Sequence, residues 1–118
     1  MADMEERVEL NYLLDFYGPL LTAHRQELLR LYCEEDLSQQ EIADQLSITR
    51  QGVFDTLAKA KKQLMGYEEK LGLIRRHREQ LKAARQCLEA LSHIRPAEGD
   101  APALQRARQA LEGMLAKD

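Results

Sequence analysis

Two helix starts stand only eleven residues apart in this chain, at Ser38 and Thr49, leaving room between them for one short helix and a turn. Ser38-Gln39-Gln40-Glu41 has the form of a capping box, in which the serine oxygen accepts from the backbone three residues on and the glutamate reaches back. It opens a helix over roughly Gln39 to Leu46. Ser47-Ile48 is too brief for anything but a turn, and Thr49 can cap a second helix that begins at Arg50. In the segment from Leu37 to Leu64, LSQQEIADQLSITRQGVFDTLAKAKKQL, Ile42 and Ala43 fall where the two helices meet, and the small alanine lets the backbones approach. Leu46, Ile48, Val53 and Leu57 complete a compact core, so the unit is a helix-turn-helix.

The positions left facing outward on the second helix are Arg50, Gln51, Phe54, Asp55, Ala58 and Lys59. In this motif such positions face the groove, with the first turn of the recognition helix closest to base edges. The Arg50 guanidinium is suited to bidentate pairing with guanine and the Gln51 amide to adenine, while Thr49, Lys59, Lys61 and Lys62 could position phosphates. For any one of these residues alone, an ordinary solvated helix face is the competing reading. As a pattern, Thr49, Arg50, Gln51, Phe54, Asp55, Lys59 and Lys62 form the candidate nucleic-acid-binding set.

The rest of the chain is helical as well. From Met4 to Tyr17 the apolar residues Val8, Leu10, Tyr12, Leu13, Leu14, Phe16 and Tyr17 share one broad face at helical spacing. Gly18-Pro19 interrupts this helix, the glycine suited to a left-handed cap and the proline unable to continue the ladder. Thr22 caps a second helix with the stripe Leu28, Leu29, Leu31 and Tyr32, which ends in the acidic run Glu34-Glu35-Asp36. Between Arg50 and Ile94 there is no proline, and Leu64, Tyr67, Leu71, Ile74, Leu81 and Leu88 repeat at alternating three- and four-residue steps, with Arg78 and Arg85 at two further seam positions. That register is coiled-coil-like and predicts a long helix needing a partner, either a second copy or the folded-back C-terminus. Arg95-Pro96-Ala97-Glu98-Gly99-Asp100 is a loop, followed by a final amphipathic helix through Leu104, Ala107, Leu111 and Leu115. The expected fold is all-α, a helix-turn-helix domain over residues 1–75, then a long helix and a C-terminal helix whose extension, 76–118, packs on the first domain or on a dimer partner.

Charge narrows the function. The net charge is −3, and residues 1–35 carry eight acids against three bases, residues 36–64 four of each, and residues 65–118 eight against ten. Proteins that live on nucleic acid are usually more basic, because phosphate neutralisation supplies much of their affinity. The strongest positive patch is Arg75, Arg76, Arg78, Lys82 and Arg85, either a second phosphate-binding surface or a solvated face. Cys33 and Cys87 lie in no CxxC or Cys/His ligand spacing, so they read as buried free thiols rather than a zinc site or disulfide. His24, His77 and His93 have no acid or cysteine at a suggestive spacing, and neither a phosphate-cradling glycine loop nor HExxH occurs. No catalytic residue, metal ligand or cofactor is therefore expected, and the chain is read as no enzyme. The acidic start MADMEERVEL lacks the features of an export signal and no stretch approaches 18 uninterrupted apolar residues, which places the chain in the cytoplasm without membrane insertion.

Two resemblances add to this reading. The segment around Thr49 resembles sigma-factor region 4. Over a longer span the chain resembles the YlxM family, bacterial helix-turn-helix proteins associated with the signal recognition particle. That likeness rests on Leu13-Leu14-Asp15-Phe16-Tyr17-Gly18 with Leu20-Leu21-Thr22, then Asp36-Leu37-Ser38, Glu41-Ile42-Ala43, Thr49-Arg50-Gln51, Val53-Phe54-Asp55 and Tyr67-Glu68-Glu69-Lys70-Leu71, about three fifths of the chain. It implies an all-helical homodimer whose genes neighbour those of the targeting particle and its receptor, and which modulates that pathway through targeting-particle RNA or operon DNA. An alternative is a protein-interaction module that binds the particle's GTPase through the acidic N-terminal half, with the helix-turn-helix as scaffold. Where sigma factors place further basic residues on the recognition helix, this chain has Gly52, Phe54 and Asp55. Phe54 then either stacks on an unpaired RNA base or is core in a dimer.

Overall fold

The computed structural model describes residues 4–116. Among these residues six helices follow one another: α1 Met4–Tyr17, α2 Ala23–Cys33, α3 Gln39–Leu46, α4 Arg50–Leu71, α5 Leu73–Ser92 and α6 Ala101–Ala116. A 3-10 turn, Gly18–Leu20, links α1 to α2, and no strand occurs among the described residues. The chain divides into two compact units, one ending at Ile74 and one beginning at Arg75.

In the first unit, α1, α2, α3 and α4 pack around one core, with α4 touching each of the other three. Tyr17, Leu28, Leu29, Ile42, Val53 and Leu64 are its most completely buried large side chains. Truncating one of the buried leucines or Ile42 to alanine costs about 2–5 kcal/mol, transfer and cavity terms together. Thr22 caps α2, its hydroxyl accepting from Arg25 N at 3.3 Å. Arg25 then reaches α4, where its guanidinium donates to Gln63 Oε1 at 2.6 Å, and the Gln63 amide donates to Tyr67 Oη at 2.8 Å.

Gly18 breaks α1 in another way than its residue type suggests. It is buried and does not take a left-handed conformation. A Cβ there would lie 3.1 Å from Leu14 Cδ1, so the glycine makes room for core packing, and Pro19 is the second residue of the 3-10 turn. Val8, expected on the buried face of α1, is 48% exposed.

The proline-free run after Arg50 is two helices. Gly72 adopts φ 62° and ψ 27°, a left-handed conformation that glycine takes without steric penalty, and its N–H donates to Glu68 O at 2.8 Å. α4 stops there. Leu71, a seam position in the heptad-like register, is 46% exposed, so the seam does not run through the corner. In the second unit Leu81 and Ala84 are buried, and Leu88, Leu91, Leu104, Leu111 and Leu115 are half-buried along α5 and α6.

Candidate nucleic-acid interface

The helix-turn-helix is set by local capping. Ser38 Oγ accepts from Glu41 N at 3.1 Å while Glu41 Oε1 accepts from Ser38 N at 3.0 Å, the reciprocal pair of a capping box. The Ser38 N–H holds the Glu41 carboxyl below its usual range. Ser47 ends α3 in the left-handed region at φ 57°, and Ile48 N donates back to Ala43 O at 3.0 Å, which turns the chain toward α4. Thr49 Oγ1 then accepts from Gly52 N at 2.9 Å. A Cβ at Gly52 would sit 3.1 Å from that oxygen, so the glycine keeps the cap uncrowded.

With Val53, Leu57, Ala60 and Leu64 turned into the core, the opposite face of α4 is open. Thr49, Arg50, Gln51, Phe54, Asp55, Ala58, Lys59 and Lys62 are all exposed, as the spacing predicts. They are not equivalent. Gln51 Nε2 donates to Asp55 Oδ1 at 3.0 Å, which commits one amide hydrogen and turns the carboxylate toward its own helix. Arg50, Lys59 and Lys62 make no ion pair among the described residues. Lys61, suited by sequence to phosphate contact, instead pairs with Glu6 of α1. Phe54 is 55% exposed, which excludes it from the core of its own chain.

Beside Arg50 a cleft of about 790 Å³ opens, lined also by Arg7, Val8, Asn11, Tyr32 and Cys33. Among the lining residues, Arg7 is held by three contacts. It donates to Tyr32 O, pairs with Asp36 Oδ1 at 2.9 Å, and lies 4.1 Å from the centroid of the Tyr32 ring. Burial pushes the Cys33 thiol up to about 11, so it stays protonated at neutral pH and is no nucleophile. Cys87, expected to be buried, is exposed. His93, in the turn just after α5, lies 3.1 Å from Glu89 on the open surface. No cluster of three metal-binding side chains occurs among the described residues, and no helix is long and apolar enough to cross a membrane.

The basic residues of α5, Arg75, Arg76, Arg78, Lys82 and Arg85, are exposed and belong to the second unit. Sequence reasoning did not single out Glu6 and Arg7, because their partners lie 55 and 25 positions away and leave no periodic signal.

Comparison with known proteins agrees with this architecture. A family model described as "UPF0122: Putative helix-turn-helix protein, YlxM / p13 like" matches residues 4–99. The chain is 40% identical over 115 residues to a UPF0122 protein of Desulforamulus reducens, covering 97% of each chain. It is 37% identical over 114 residues to a UPF0122 protein of Symbiobacterium thermophilum, covering 97% of this chain and 99% of the relative. With the relative in Geobacillus kaustophilus the identity is 35% over 103 residues, 87% of this chain and 94% of that one.

Proposed function

The chain belongs to the UPF0122 family of YlxM/p13-like helix-turn-helix proteins, and from that membership we propose that it is a nucleic-acid-binding regulatory protein of the signal recognition particle pathway, acting in the cytoplasm as a homodimer. The observation that carries this reading is the open face of α4, where Thr49, Arg50, Gln51, Phe54, Asp55, Lys59 and Lys62 are exposed and three cations stand without a partner among the described residues. Arg50 is the first residue of α4, the turn that in helix-turn-helix proteins lies closest to base edges, which supports it as a contact residue. The Thr49 hydroxyl accepts from Gly52 N and keeps its own proton for a phosphate oxygen. The ligand is operon DNA or targeting-particle RNA, as the family resemblance implies.

The net charge of −3 requires few phosphate contacts per chain. Three neutralised phosphates give a salt slope of about −2.7 on duplex DNA, and two copies acting together about −5.4. A gel-shift series over salt concentration tests this: Arg50→Ala with Lys59→Ala weakens retention and flattens the slope by roughly 2 per chain. Unchanged affinity in the double variant at every salt concentration excludes the face. A second reading has its own support, since Glu5, Asp15, Glu34 and Glu35 are exposed on the N-terminal half and suit a basic protein surface such as the particle's GTPase. Recovery of that GTPase in a pull-down after nuclease treatment favours it.

A further inference from the structure

Phe54 is more than half exposed among polar and small residues on the first four turns of α4, with Met65 the next exposed large apolar side chain, about three turns further along. We propose that its ring is a stacking platform for an unpaired base, so that the ligand of the α4 face is single-stranded nucleic acid rather than a duplex groove. This deepens the nucleic-acid reading above and rests on it.

Arg50, Phe54, Ala58 and Lys62 follow one another at four-residue steps and therefore form a single ridge of α4, about 18 Å long at 1.5 Å per residue. A cation stands at each end with the ring between. Ala58, one turn beyond the ring, is too short to cover it, and Arg50, one turn before, brings a planar guanidinium to the same ridge. Unpaired bases stack on aromatic rings and on arginine planes, whatever the base.

The same residues fit a duplex groove poorly. Gln51 is held to Asp55 through one amide hydrogen, so its remaining hydrogen and its oxygen reach adenine N7 and N6 only in the orientation that this bond allows. Asp55 carries a negative charge on the groove-facing turn, where the approaching phosphates are negative too. Three unpaired cations in a chain of net charge −3 are few against a duplex, whose charges lie about 1.7 Å apart along the axis. A single strand asks less neutralisation per contact, and stacking adds affinity that needs no cation. A phenylalanine in a duplex groove would instead touch the thymine methyl, which uracil lacks. That difference separates the two modes.

The test uses the full chain. It contains no tryptophan, so Phe54→Trp introduces a single indole at the ring's own position. Titration with oligouridine and oligothymidine of roughly 12 nucleotides, and with a duplex of the same length, is expected to quench the indole on both single strands with similar affinity and to leave it nearly unchanged on the duplex. Phe54→Ala is expected to weaken single-strand binding roughly five- to one hundred-fold without changing the salt slope, because a base stack neutralises no phosphate. Tighter binding to duplex than to single strand, with thymine preferred over uracil, overturns stacking but leaves the nucleic-acid reading standing. Binding to none of the three overturns both. An indole emission that shifts on dilution without ligand shows the ring covered by a second copy and overturns the proposal.

Discussion

Tyr17 at the end of α1 donates its phenol proton to Glu68 Oε1 of α4 across 2.6 Å, although the two residues lie 51 positions apart. The pair also supplies the start of α5: Leu73 N donates to Tyr17 Oη at 3.1 Å and Ile74 N to Glu68 Oε1 at 3.0 Å. Two N–H groups that a helix start leaves without partners are thereby satisfied from α1 and α4. Tyr17→Phe keeps the ring packed 5.9 Å from Tyr67 but leaves Leu73 N–H without its acceptor. A loss of about 1–3 kcal/mol is expected in urea denaturation. A double-mutant cycle with Glu68→Ala should show coupling of about 0.5–3 kcal/mol, and strict additivity would contradict the linkage.

The same pair makes stability sensitive to alkali. Burial raises the Tyr17 phenol above its ordinary value, and the Glu68 carboxylate beside it adds to the effect. The folded chain therefore holds this proton more tightly than the unfolded chain. The resulting stability is fully present below about pH 10 and is lost as pH rises through the folded value. Thermal melting of the wild type should fall over that range more steeply than that of Tyr17→Phe, and parallel curves would refute the assignment.

The α4–α5 corner depends on Gly72 for conformation, whereas Gly66, a few residues earlier, sits inside the helix with nothing near its missing side chain. The two glycines should respond to alanine in opposite directions. Gly72→Ala places a Cβ at φ 62° and is expected to cost about 1–2 kcal/mol. Gly66→Ala is expected to stabilise by about 0.5–1 kcal/mol through helix propensity. Equal effects in denaturant titrations would show that the corner is not held by the left-handed conformation.

Removing the Ser38 cap tests the start of the recognition unit. Ser38→Ala should cost about 1 kcal/mol. Glu41 is held below its ordinary range by the Ser38 N–H, so its contribution is present above the unfolded carboxylate value, about pH 4.3. That contribution is lost as pH falls through the folded value. Acid titration monitored by circular dichroism should show a smaller loss in Glu41→Gln than in the wild type.

The parts of this molecule legible from sequence are those fixed over three or four residues. Ser38, Glu41 and Thr49 act on their own helix ends, and the spacing of Ile42, Val53 and Leu57 alone distinguishes the core side of α3 and α4 from the open one. The exposure of Phe54 follows from the same periodicity. What escaped depends on partners far along the chain. The heptad-like register continues on paper through Leu71, and nothing local says that Gly72 caps a helix, because the groups receiving the next helix start are Tyr17 and Glu68. Lys61 reads as a phosphate ligand until Glu6 is brought beside it by the packing of α1 on α4. Gly18 reads as a left-handed cap, but its backbone is ordinary and Leu14 is what demands the small residue.

Backbone amide shifts of the ¹⁵N-labelled full chain, followed during titration with oligouridine, measure the interface residue by residue. The expected result is perturbation concentrated between Thr49 and Lys62 on the exposed positions of α4, with the buried Val53 and Leu57 amides less affected than those of Arg50, Phe54 and Lys59. Perturbations confined to the acidic positions Glu5, Glu34 and Glu35, or none at saturating concentrations of single-stranded and duplex nucleic acid alike, would contradict the assignment of this face.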